Sequence, residues 1–137
     1  MQPVNPIVRR WRQDATENPE QFWAKAAEQL PWLRRWDEVF AWEYPTFRWF
    51  VGGQTNLAYN TLDQHVQRGW GGHAALIYIS ERGEQRVLTY AMLLHEVERV
   101  AAALRGLGIQ AGDRLTIYMP PCPESIALML ATVRIGA

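Results

Sequence analysis

The chain has 137 residues, 48% of them hydrophobic and 20% charged, a composition that excludes a disordered tail and suits one domain or part of a larger one. Lys+Arg and Asp+Glu balance at 14 each, which leaves no basic surplus to hold nucleic acid. The clusters Arg9-Arg10-Trp11-Arg12 and Arg34-Arg35-Trp36 read as solvated helix faces rather than base-stacking patches.

In chain order, Asn5-Pro6 and Asn18-Pro19 each place a capping Asn before a Pro at the first helical position. Gln21 stands at the capping-box distance from Asn18. The second helix is predicted from Pro19 to Leu30, with Phe22, Trp23, Ala26, Ala27 and Leu30 on one stripe and Pro31 as its stop. Residues 32 to 56 carry Trp32, Trp36, Phe40, Trp42, Tyr44, Phe47, Trp49 and Phe50, broken by Pro45, Gly52 and Gly53. Irregular chain with short extended pieces is expected there. Asn56 caps a short helix through about Gln67, and Gly69, Gly71 and Gly72 form a loop.

From Ala74 the pattern turns into a regular α/β one. Ala74–Ser80 and Gln85–Leu88 read as strands of a hairpin turning at Glu81-Arg82-Gly83-Glu84. Thr89 caps an amphipathic helix with Leu93, Leu94, Val97, Val100, Ala101, Leu104 and Leu107 at 3-4 spacing, stopped by Gly108. Arg114–Tyr118 reads as a third strand. A last helix runs from about Pro123 to Ile135 and is apolar nearly all round. Its five large apolar side chains, Ile126, Leu128, Met129, Leu130 and Val133, would forgo roughly 10 kcal/mol if left wet. They are expected to bury against the Trp-rich segment, a second copy or a partner chain, and either self-association through this helix or a marginally stable monomer is expected.

Cys122 is the single cysteine, so no internal disulfide and no cysteine-based metal motif exist. The opening MQPVNPIVRRWRQ has no apolar signal core, and the run Ile126–Val133 is shorter than the ~20 residues of a membrane span. A cytoplasmic protein without membrane or nucleic-acid partners is expected.

The candidate sites resolve into bland readings. Gly52-Gly53-Gln54-Thr55-Asn56 lacks the lysine of a phosphate loop and reads as a tight turn. His65, His73 and His95 have no ligand spacing, and Asp63 and His65 do not share a helix face. Ser125 lies outside any nucleophile elbow, and Glu124 suits the first turn of a helix. Lys25, the only lysine, sits on a polar helix side, and Cys122 reads as packing. Six of the seven tryptophans precede residue 50; clusters of this kind bind sugars or peptides when exposed, and here packing is the favoured reading.

An ordered series of strings carries a resemblance: Phe22-Trp23; Trp49-Phe50-Val51-Gly52-Gly53-Gln54-Thr55-Asn56-Leu57-Ala58-Tyr59-Asn60; Leu62-Asp63-Gln64-His65-Val66; Leu88-Thr89-Tyr90; Gly112-Asp113-Arg114; Ile117-Tyr118-Met119-Pro120; Pro123-Glu124; Met129-Leu130-Ala131; and Arg134-Ile135-Gly136-Ala137. From about Asn18 onward the chain resembles the N-terminal region of AMP-forming acetyl- and propionyl-CoA synthetases of the adenylate-forming superfamily. Thr55 stands where that family usually has an apolar residue, and Cys122 lies between the two prolines.

The resemblance implies an α/β fold: an incomplete part of the large N-terminal domain, with a Trp-rich extension over residues 1–72 and the start of the AMP-binding domain over 73–137. It implies a parent enzyme that joins a carboxylate, ATP and CoA through an acyl-adenylate, with Mg²⁺ assisting. The family's phosphate loop, adenine and ribose contacts and catalytic lysine match no position here, so no catalytic, cofactor-binding or metal residue is assigned and the chain alone is expected to be inert. Its partner would be the remainder of the synthetase. The alternative is a stand-alone binding or assembly module derived from such an enzyme.

Overall fold

The two asparagines cap as their positions predict. Ile7 N–H donates to Asn5 Oδ1 at 2.9 Å and opens α1, Pro6–Glu17. Gln21 N–H donates to Asn18 Oδ1 at 3.4 Å and opens α2, Pro19–Ala27, while Asn18 Nδ2 donates to Gln21 Oε1 at 3.2 Å. The computed structural model describes residues 5–137; Met1–Val4, the start of the stretch found to have no apolar signal core, lie outside the described residues. It divides into two units, one up to Thr55 and one over Asn56–Ala137.

In the first unit α2 stops at Ala27, short of the predicted Leu30. Ahead of Pro31 the chain tightens, with Gln29 N–H on Ala26 O at 3.2 Å and Leu30 N–H on Ala27 O at 3.1 Å, and the Trp32 indole N–H caps Ala27 O at 2.8 Å. The short extended pieces expected after residue 32 are present, and they pair as a regular hairpin rather than lying in irregular chain. Strand β1, Glu38–Glu43, pairs antiparallel with β2, Thr46–Val51, in register Phe40↔Trp49 and Trp42↔Phe47. Pro45 does not break a strand; it lies in the connection, where the Tyr44-Pro45 peptide is cis. The alternation puts four rings on one face, with Phe40 and Trp49 centroids 4.7 Å apart and Trp42 and Phe47 at 6.2 Å and 13°. Trp32, Trp36 and Phe50 form a second cluster, with centroids 4.9, 5.5 and 5.1 Å apart. Ala27 is the only side chain of this unit that is buried among the described residues, and Trp42 stays 64% exposed.

The second unit begins on Asn56, whose Oδ1 accepts Tyr59 N–H at 3.1 Å. The helical stretch that follows has wide turns at Tyr59–Asp63 and Val66–Trp70, and Gly69, at φ +86°, departs from helical geometry. This stretch packs on α3, Tyr90–Gly106, so the compact unit starts at Asn56, ahead of the glycine loop at which composition changes. Strands β3, Ala74–Ile79, and β4, Gln85–Thr89, form the expected hairpin. Thr89 Oγ1 accepts Met92 N–H at 3.2 Å to cap α3. At the other end Ile109 N–H returns to Leu104 O at 3.1 Å and Gly108 N–H to Arg105 O at 2.9 Å, the paired bonds of a left-handed glycine stop, with Gly108 at φ +89°.

Helix α4, Pro123–Ile135, lays Ala127, Leu130, Ala131 and Ile135 against the Leu93, Val97, Ala101 and Leu104 stripe of α3, and all eight are buried. Part of the apolar surface predicted to need a partner is thus covered within the unit; Met129 remains 46% exposed. Arg114–Tyr118 is not a strand, which corrects the third prediction: β3 and β4 pair only with each other, and a strand requires a neighbour. Its alternation survives as half-buried Leu115 and Ile117 between exposed residues.

Candidate functional site

Gly52–Asn56, the sequence nearest to a phosphate loop, is already used up by its own unit. Gly53 N–H donates to Phe50 O at 2.9 Å and Gln54 N–H to Arg34 O at 2.9 Å, while Gln54 O accepts Leu33 N–H at 2.8 Å. A Cβ on Gly53 would stand 2.7 Å from the Trp32 ring, and Gly52 adopts φ +75°. With the Gly53 and Gln54 amides bonded within the unit and the Trp32 indole packed against Gly53, this turn does not fit a phosphate group. Thr55 Oγ1 donates to Pro31 O at 3.0 Å and ties the turn down.

The other tempting residues are scattered. His65 lies flat on Trp70, centroids 5.4 Å and 7° apart, with Tyr90 at 4.9 Å; its Nδ1 is buried without a hydrogen-bond partner. Among the described residues no three His, Cys, Asp or Glu side chains gather as a group that could hold a metal ion. Lys25 lines an open groove between α1 and α2 with Asp14 and Glu17. Cys122 caps α4: Ser125 N–H donates to Cys122 O at 3.1 Å, and Ser125 Oγ accepts Cys122 N–H at 3.3 Å.

What the second unit does assemble is a polar node at the C-terminal end of α4. Arg134 forks onto Asp63, Nη1 to Oδ2 at 2.6 Å and Nη2 to Oδ1 at 2.9 Å, and Nη2 also reaches Glu98 Oε1 at 3.2 Å. Arg134 and Asp63 side chains are only 23% and 14% exposed. The bond to Asp63, the largest influence, raises the guanidinium above its ordinary value, while burial opposes it. Asn56 Nδ2 donates to Val133 O at 3.3 Å and Arg134 O at 3.1 Å, so one asparagine caps the start of one helix and the end of another. Gly136, left-handed at φ +84°, is pinned by Gly112 N–H on its carbonyl at 2.8 Å, and its missing Cβ leaves room for Ala111. At the other end of α4, Arg86 Nη1 donates to Glu124 Oε1 at 2.8 Å, which holds the Glu124 carboxyl below its ordinary value.

Sequence reasoning missed this node. The available signal was Arg134, the one charge between Ser125 and Ala137 in an otherwise apolar helix. The node also joins distant strings: Asn56 and Asp63 from the helical stretch, Gly112 from the turn, Arg134 and Gly136 from the chain's last string.

The profile of "AMP-binding enzyme" matches residues 50–137. The chain belongs to the AMP-binding enzyme family. The profile of "Acetyl-coenzyme A synthetase N-terminus" matches residues 8–61. The chain is 53% identical over 129 residues to an acetyl-coenzyme A synthetase of Deinococcus radiodurans, covering 94% of this chain and 20% of that protein. It is 48% identical over 122 residues to a 3-hydroxypropionyl-coenzyme A synthetase of Metallosphaera sedula, covering 88% and 18%. Among solved structures, acetoacetyl-CoA synthetase from Streptomyces lividans superposes with a TM-score of 0.81 at 29% identity, over 90% of this chain and 19% of that one. The chain spans about a fifth of the length of the curated relatives it matches. No helix among its described residues is long and apolar enough to cross a membrane.

Proposed function

We propose that this AMP-binding family chain is the N-terminal portion of a cytoplasmic short-chain acyl-CoA synthetase, converting acetate or propionate, ATP and CoA to acyl-CoA, AMP and pyrophosphate. Within it, residues 1–72 serve as a Trp-rich extension and 73–137 as the start of the adenylation domain. The remainder of the synthetase is its partner. The 137 residues by themselves frame the enzyme and carry none of its chemistry.

One observation supports this reading best. Residues of several family strings meet at the α4 node and at the Trp32-filled turn, where the hydrogen bonds they make go to backbone and to each other. Groups that stabilise a phosphoryl or acyl transition state must point into space where charge develops; these do not. Relatives named for acetyl and 3-hydroxypropionyl substrates favour a short carboxylate.

Carboxylate-dependent ATP–pyrophosphate exchange tests both parts. Purified 137-residue protein should give no exchange with acetate or propionate, whereas a polypeptide that continues this chain through a full synthetase length should. Exchange by the short chain would overturn its inertness; no turnover of either acid by the long one would overturn the substrate class. The aromatic face of Trp42 and Phe47, 64% and 59% exposed, favours a second reading as a stand-alone assembly module. That reading predicts that the long polypeptide is equally inactive.

A further inference from the structure

We propose that α1 binds anionic membrane surfaces, with Ile7, Val8 and Trp11 in the headgroup layer and Arg9, Arg10 and Arg12 on lipid phosphates. This departs from the expectation of no membrane partner, and it does not depend on the enzymatic reading.

The chain holds two Arg-Arg-Trp clusters, and the structure uses them differently. In the second, Arg34 Nη2 donates to both Asp37 carboxylate oxygens, at 3.0 and 2.8 Å. Arg35 Nη2 donates to Glu28 Oε1 at 2.7 Å, and its guanidinium lies over the Trp36 ring at 5.1 Å. Those charges are met within the first unit. In the first cluster, Arg9 and Arg12 make no ion pair among the described residues, and Arg10, 83% exposed, reaches Asp14 only at 4.0 Å. Nor do these arginines help to hold the helix. All three stand in its first two turns, where the positive end of the helix dipole repels cations, and no acidic residue of the first turn offsets them.

The apolar residues of α1 are equally unused. No side chain of α1 is buried, and Ile7, Val8 and Trp11 are 63%, 42% and 59% exposed. At about 100° per residue, Ile7, Trp11, Ala15 and Val8 share one stripe, and Arg10 and Arg12 stand on either side of it. Asp14 and Glu17 lie in the C-terminal half of α1 and line the groove toward α2, away from the arginine-bearing turns. A tryptophan set among apolar residues and bordered by arginines is the pattern of a helix lying at the headgroup level. Charge complementarity selects the occupant. Nucleic acid would meet the arginines but offers no apolar counterpart to Ile7 and Val8, and an uncharged apolar partner would strand the arginines. An anionic bilayer supplies both chemistries on one plane.

Vesicle flotation of the 137-residue protein tests this. The expected result is flotation with vesicles of phosphatidylcholine and phosphatidylglycerol, none with phosphatidylcholine alone, and release as salt rises from about 0.05 to 0.5 M. Arg10→Gln with Arg12→Gln should weaken partitioning at least about tenfold, at about fivefold for each charge. Ile7→Ser keeps every charge and should weaken it at least about threefold. Arg34→Gln with Arg35→Gln removes the same charge from the ion-paired cluster and should leave partitioning within about twofold. Should the first double variant lose its far-ultraviolet circular dichroism, Ile7→Ser is read in its place. Flotation with neither vesicle, or equal flotation with both, overturns the proposal. So does an equal loss in the two arginine variants, or binding to a short DNA duplex as tight as to the anionic vesicles.

Discussion

Replacing Arg134 with Met removes the centre of the α4 node and leaves Asp63 facing protein with no counter-charge. A surface ion pair is worth about 0–1 kcal/mol, whereas breaking a buried one costs about 3–5 kcal/mol. With side-chain exposures of 23% and 14%, the Arg134–Asp63 pair lies between these limits. A loss of about 2 kcal/mol is expected, since the Asn56 bonds to α4 survive and Glu98, with its side chain 51% exposed, is resolvated. Amide hydrogen exchange at α3 and α4 reads the second unit without interference from the first, and the protected amides should exchange about 30-fold faster. The double variant Arg134→Met with Asp63→Leu should recover most of the loss, because no charge is then stranded. A cost below about 0.5 kcal/mol for the single variant, typical of solvated pairs, or a double variant no better than the single, would refute the reasoning.

Gly53→Ala drives a methyl group to 2.7 Å from the Trp32 ring, and should cost about 1–3 kcal/mol with loss of near-ultraviolet circular dichroism from the Trp32–Trp36–Phe50 cluster. Asn56→Ala removes a helix cap and two bonds to α4, and should cost about 1–2 kcal/mol by the same exchange measurement. The Glu124 carboxyl is lowered from its ordinary 4.5 by Arg86, so its contribution is present above that value and is lost as pH falls through the depressed one. Melting temperatures of the parent and of Glu124→Gln should therefore converge once pH falls below the depressed value and separate above it, by a small amount because the pair is exposed.

The second unit was the more legible half. Thr89, Gly108 and the 3-4 spacing of Leu93, Val97, Ala101 and Leu104 state a helix, its ends and its buried face in local sequence, and the structure follows them. The β1–β2 hairpin was legible but unread. Phe40-x-Trp42 and Phe47-x-Trp49 alternate with period two, a signal that the density of aromatics and Pro45 obscured. Arg114–Tyr118 shows the opposite failure, since its alternation is real but pairing depends on a neighbour that local sequence cannot supply. The node could not be assembled from sequence because Asp63 and Arg134 meet only once α4 has docked. Asn56 was read for its cap alone, as its second set of bonds crosses to residues 133 and 134.

The central claim is that the family's strings in this chain are frame and not site. Titration of the ¹⁵N-labelled protein with MgATP, followed by amide shifts, addresses it most directly. The amides of Gly52–Asn56 and Gly112–Arg114 are predicted to stay fixed, since those of Gly53, Gln54 and Gly112 are already bonded within the chain. A saturable shift confined to either segment would contradict the account.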